Sequence, residues 1–206
     1  KWDEKKVANY IHYYKVHAVV GLIALIVLVS TVRGCVTRVD PDFYLTTVGN
    51  IYVADSEVIE KDLKDLFPDL KAPVVDPLYI TGEDMSEQNY AMQMKAMTLL
   101  AAGDMDIIIM DKDNFNKYAK QGALTKLDDL VDELNIDKEK NKDYIVKPSE
   151  ETVEDFEEGL YGVDLSESEF IKRNNIKGKE LIAAIKVNPK HKDKAIDVMK
   201  ILLNGK

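Results

Sequence analysis

"LLAAGDMDIIIMDKDNF", residues 99–115, places a helix end, a glycine, a four-residue apolar run and four aspartates side by side. Gly103 after two alanines is a helix stop. "IIIM" is short, apolar on both faces and bounded by acids, as a strand buried inside a parallel sheet is. Asp104 and Asp106 stand at its amino end and Asp111 and Asp113 at its carboxyl end. The first pair suits turn formation and helix termination. The second pair leaves the strand where ligands approach an open α/β sheet.

The neighbouring text continues the alternation. Upstream, "FYLTTVGNIYV" predicts a strand near 43–47, and Ile59, Leu63 and Leu66 mark one face of a helix that Pro68 ends. A second strand is expected around 74–81, with Pro77 suited to a sheet edge. The helix from Ser86 to Gly103 carries Tyr90, Met94, Met97 and Ala101 on one stripe, expected to fill the core. Downstream, helices are expected at about 112–121 and 127–134, then a polar stretch over 135–158 with one short strand at 144–146. "ELIAAIKV", 180–187, predicts a further strand. The closing helix has Asn188 as cap, Pro189 at its first position and Ala195, Val198, Met199 and Leu202 buried. Strands alternating with helices imply an α/β domain with a mostly parallel sheet flanked by helices. Its ligand-facing ends are Thr46–Asn50, Thr81–Asp84 and Asp111–Phe115.

An apolar segment precedes this domain. Residues 16–32, "VHAVVGLIALIVLVSTV", contain no acid, lysine or arginine, and as a helix would span roughly 25 Å against about 30 Å of hydrocarbon. Tyr10, Tyr13, Tyr14 and Lys15 sit where an interfacial belt belongs. A buried core helix is the alternative, though so unbroken an apolar surface has no polar face to show water. A transmembrane anchor over residues 1–38 is expected, followed by an extracytoplasmic domain over 39–206. Residues 1–38 carry six bases against Asp3 and Glu4, a balance of +4, and the total of −9 leaves −13 for the rest. That asymmetry predicts a cytoplasmic amino terminus. A cleaved signal peptide competes with an uncleaved signal anchor, which is the expectation. "VRGC" at 32–35 is similar to a bacterial lipoprotein cleavage box, with Arg33 departing from the pattern, so Cys35 is a candidate for lipidation.

Composition excludes several classes of chemistry. An acidic domain lacks the basic face that nucleic acid requires. One cysteine and three histidines leave no zinc cluster and no disulfide framework. An EF-hand loop started at Asp111 meets Asp113 but then Phe115, Asn116 and, at its last position, Gly122, so that loop fails. No G-x-S-x-G turn or phosphate-binding glycine loop occurs. No enzyme, metal or cofactor is expected.

"AAGDMDIIIMDKDNFNKYAKQGALTKLDDL" resembles the first-lobe segment of bacterial extracellular solute-binding proteins of ABC importers. "GLYGVDL" and "ELIAAIKVNPKHKDKAIDVMKILL" are similar to that family's carboxyl-terminal return strand and helix. The resemblance implies a periplasmic-binding-protein-like α/β lobe that takes part in transport by recognition, not catalysis. Family members have two lobes that close on ligand, and the span 135–179 is too short for a second lobe. A single lobe with a polar excursion over 135–179 is therefore expected. Ligand-binding candidates are Thr47, Gly49, Asn50, Thr81, Asp111, Asn114 and Tyr161. The partner is an unidentified small solute or, on the alternative reading as an interaction or scaffold protein, a membrane or extracytoplasmic protein.

Overall fold

The computed structural model describes residues 4–36, 39–81 and 86–204 and divides into two compact units, residues 1–40 and 41–206. The first unit is helix α1, Glu4–Val36. Its 20-residue stretch from Tyr14 to Arg33 is long and apolar enough to cross a membrane. Val16, Leu22, Ile26 and Leu28 each expose more than half of their surface, as lipid-facing side chains would and core side chains would not. The Cys35 side chain lies outside the described residues.

The second unit is built around a five-stranded sheet. Strands β1 (Phe43–Gly49), β2 (Pro73–Tyr79), β3 (Ile107–Met110), β6 (Val163–Asp164) and β7 (Ile182–Ile185) lie in the order β2-β1-β3-β7-β6. β1 pairs in parallel with both β2 and β3, and β7 runs antiparallel to β3 and β6. Four strands thus share one direction and β7 is reversed. A separate antiparallel pair joins β4 (Ile145–Val146) to β5 (Gly159–Leu160).

Helices cover both faces. Phe43, Leu45, Ile107, Ile109 and Ile185 pack with α2 (Ser56–Leu66), α5 (Val131–Leu134), α6 (Glu169–Arg173) and α7 (Lys192–Asn204). Val48, Ile108, Met110 and Ile182 pack with α3 (Glu87–Ala102) and α4 (Lys112–Lys120). All four side chains of "IIIM" are fully buried. Each contributes about 1.5–3 kcal/mol relative to exposure, which is why so short a strand can hold the centre of the sheet.

Local chemistry sets the boundaries. Asp55 caps α2, Ser86 caps α3 and Gly103 ends α3 in the left-handed conformation, its φ of 78° suiting glycine. β2 is an edge strand. Its N–H groups alternate in direction, and that of Ile80, just past the strand, reaches the Gly49 carbonyl at 3.1 Å. On the outer side the Val75 N–H donates to Glu60 Oε1 at 3.0 Å, and Pro77 has none to offer.

Three expectations are corrected. The stripe Tyr90, Met94, Met97 and Ala101 does not fill the core: the three large side chains are 67%, 46% and 47% exposed. α3 buries Ala96 instead, with Met92, Leu99 and Leu100 against the sheet. Apolar residues lie on more than one side of the helix, so periodicity alone did not select its buried side. Second, Asn188 and Pro189 do not start α7. Asn188 has a φ of 49° and the helix begins at Lys192, because buried Asp106 takes the His191 N–H at 2.9 Å and holds the turn before it. Third, the span 135–179 supplies β4, β5, β6 and α6, and buries Leu160, Val163, Leu165, Phe170, Ile171 and Ile176. Its apolar residues come in short groups such as Leu160–Tyr161 and Phe170–Ile171, too brief to show a period of two or 3.6.

Candidate functional site

β1 and β3 are neighbours whose chains leave in opposite directions. After β1 the chain enters α2 on one face, and after β3 it enters α4 on the other. In open α/β sheets the usual ligand position is the crevice outside the carboxyl ends of the strands at such a divergence.

Four of the predicted residues meet there. Gly49 has a φ of 129°, and a Cβ at that position would lie 2.2 Å from Asp111 Oδ2. Glycine is the residue that permits this approach. The Asn50 N–H donates to Asp111 Oδ2 at 2.8 Å. Asp111 Oδ1 accepts from the Asn114 N–H at 3.0 Å and from Asn114 Nδ2 at 2.8 Å, capping α4. One carboxylate therefore joins the loop after β1 to the start of the helix after β3. Much of its hydrogen-bonding capacity is used in doing so, while the Asn50 side chain beside it faces solvent.

Thr47 lies two residues behind Gly49 and is 1% exposed. It stands between Pro77 and Ile109 in the sheet, and its Oγ1 has no hydrogen-bond partner. An unpaired buried hydroxyl is costly and uncommon.

Thr81 is positioned from the next loop. Its N–H donates to Asn89 Oδ1 at 3.1 Å and its carbonyl accepts from Asn89 Nδ2 at 2.8 Å. This clamp fixes the end of β2 against the first turn of α3. Thr81, Tyr79, Asn89 and Met92 line a surface cavity of about 300 Å³.

Tyr161 is not brought to this junction. It precedes β6, and it lines a different groove of about 600 Å³ with Leu124, Lys126, Val187 and Pro189. Ile185 is opposite Ile107, so Val187 lies beyond the amino end of β3, at the far end of the sheet from Asp111. The Tyr161 hydroxyl donates to the Glu157 carbonyl at 2.8 Å, and its ring stacks on Phe156 with centroids 5.1 Å apart. Burial pushes its phenol pKa up, against the opposing charge of Lys126.

Two exposed aromatic residues near the carboxyl ends of β1 and β2 were missed. Tyr79 is opposite Gly49 in the sheet and is 56% exposed. Tyr52 is 57% exposed, and its backbone forms an antiparallel bridge with Lys177. Both stand in strand-like text where a tyrosine reads as sheet-forming, so only exposure distinguishes them.

The amino end of β3 holds a second polar assembly. Asp106 is fully buried, and its carboxylate accepts from the Tyr44 N–H at 2.9 Å, the His191 N–H at 2.9 Å and His191 Nδ1 at 2.8 Å. Lys190 pairs with Asp104 at 2.5 Å. Asp104 and Asp106 thus do more than turn the chain: they fasten β1, β3 and the start of α7 to one another. Among the described residues no cluster of three or more His, Cys, Asp or Glu could hold a metal ion.

No family model matches the sequence. No curated protein matches it. Solved structures similar to the chain include a sugar transporter from Rhizobium etli in an open conformation, with a TM-score of 0.38 and 15% identity over 59% of this chain and 28% of that one. The N-glycan transport solute-binding protein of Streptococcus pneumoniae in complex with Man5GlcNAc has a TM-score of 0.36 and 16% identity, over 60% of this chain and 24% of that one. A second structure of that protein gives 0.37 and 15%, over 62% and 25%. The chain spans about a quarter of the length of these proteins.

Proposed function

We propose that residues 41–206 form a solute-recognising lobe, held at a membrane by α1 with its amino terminus cytoplasmic, and acting by binding and not by catalysis. The observation that carries the reading is the meeting of Gly49, Asn50, Asp111 and Asn114 where the chain diverges at the carboxyl ends of β1 and β3. There a glycine forced close to Asp111 brings two loops together beside exposed Asn50 and Tyr79. Exposed tyrosine rings with amide and backbone donors suit a small polyhydroxylated solute, because the rings stack on C–H faces while the amides bond hydroxyls. Thr47, Gly49, Asp111 and Asn114 shape and stiffen this junction, and Asn50, Thr81, Tyr52 and Tyr79 make contact. Tyr161 belongs to a separate groove and is not assigned to this solute.

The test is calorimetric titration of the full chain in nanodiscs with oligosaccharides, oligopeptides and polyamines. Saturable binding of an oligosaccharide, weakened at least about tenfold in Tyr79→Ala with the circular dichroism spectrum unchanged, is the expected result. No heat with any of the three classes overturns the reading.

A further inference from the structure

Helix α3 presents an apolar stripe that the described residues leave uncovered. Tyr90, Met94 and Met97 are three of the nine large apolar side chains exposed in residues 41–206 among those described, and Ala101 continues their line. The stripe lies roughly 130° round the helix from the side that buries Ala96.

We propose that α3 pairs antiparallel with α3 of a second copy of this chain, through Tyr90, Met94, Met97 and Ala101. Their spacing of four, three and four residues is that with which one helix seats against another. The stripe is also complementary to itself. A two-fold axis at its middle sets Tyr90 against Ala101 of the other copy and Met94 against Met97, so the largest side chain meets the smallest and the two flexible ones meet each other. Ala91 and Thr98 beside it are small enough for close approach. Antiparallel pairing opposes the two helix dipoles.

The charge on α3 is compatible with the same occupant. α3 carries only Glu87 and Lys95, and Lys95 is neutralised by Asp76 at 2.7 Å. In a unit with a large negative excess, this face offers no counter-charge to a basic partner and, apart from Glu87 in the first turn, no like charge of its own against a second copy. A seam along one 16-residue helix, about 24 Å long, buries less than the roughly 1,600 Å² of a standard interface, so the pair is weak and reversible in solution. Tethering in a membrane raises the effective concentration of copies and favours it.

The experiment uses the full chain in vesicles, with Cys35→Ala removing the native thiol. Tyr90→Cys and Ala101→Cys are placed on separate chains, and Lys61→Cys on α2 serves as an exposed control. Mixed Tyr90→Cys and Ala101→Cys chains should form disulfide dimers at least about tenfold faster than either alone or than the control. In detergent, Met97→Glu should weaken sedimentation-detected dimers at least about tenfold by burying an unpaired carboxylate, with secondary structure unchanged. Equal crosslinking rates, preferred pairing of Tyr90→Cys with itself, or a dimer indifferent to Met97→Glu would each overturn the proposal. So would a stripe blocked by a foreign protein while the chain stays monomeric.

Discussion

At Gly49 the chain accepts a φ of 129° so that the Asp111 carboxylate can approach. Gly49→Ala adds both backbone strain and a 2.2 Å clash, and should cost about 2–4 kcal/mol by equilibrium denaturation. Thr47 offers the reverse case. Its hydroxyl is buried without a partner, so Thr47→Val, which keeps the shape, should leave stability unchanged or raise it by about 1 kcal/mol. Asp42 gives a dependence on pH. Burial alone would raise its pKa, but hydrogen bonds from Lys194 and from the Lys71 and Ala72 N–H groups bring it from 3.8 down to about 2. The native state therefore holds the carboxylate form more strongly than the unfolded chain does. The resulting stability is fully present above pH 3.8 and is lost as pH falls through about 2. After solvent screening it amounts to about 1–2 kcal/mol, so urea unfolding of Asp42→Asn should lack that part of the acid-induced loss. Residues such as Gly49 and Asn50 were visible as a loop in the sequence. Their bond to Asp111 was not, because no local pattern links positions 61 residues apart.

The α4 cap shows how one such bond shapes an element. Asp111→Ala removes the helix cap and the partner of the Asn50 N–H, and should cost about 1–3 kcal/mol. Faster amide exchange at Asn50 and Asn114 together, more than at α7, is the expected signature. Most elements were legible because their ends carry chemistry: Ser86 and Gly103 bracket α3, and Pro68 follows α2. What stayed illegible was orientation. α3 carries apolar residues on more than one side, and two of its stripes satisfied the same spacing, so only the shape of the sheet surface decides which is buried. β7 posed the same difficulty, since four buried side chains read alike in a parallel or a reversed strand.

For the molecule as a whole, the architecture followed from the order of elements, whereas 135–179 did not. Part of that segment is held from outside by exposed ion pairs, Lys120 with Glu151 and Lys126 with Glu157, and Lys147 with Glu158 closes it on itself. Exposed pairs weaken as the Debye length shrinks from about 10 Å to about 3 Å between 0.1 and 1 M salt. Limited proteolysis within 147–158 should therefore quicken several-fold over about that range while the sheet resists cleavage. The meeting of Gly49 and Asn50 with Asp111 and Asn114 at the carboxyl ends of β1 and β3 followed from strand direction, yet Tyr161 falls at the other end of the sheet, because nothing in its neighbourhood tells which end of a strand it precedes. The edge of β2 carries a consequence for assembly. With Glu60 occupying one outward donor and Pro77 lacking another, a neighbouring molecule finds no continuous ladder on which to add a strand. Growth of the sheet from copy to copy is blocked at this edge, and concentrating these chains should give small discrete clusters instead of fibres.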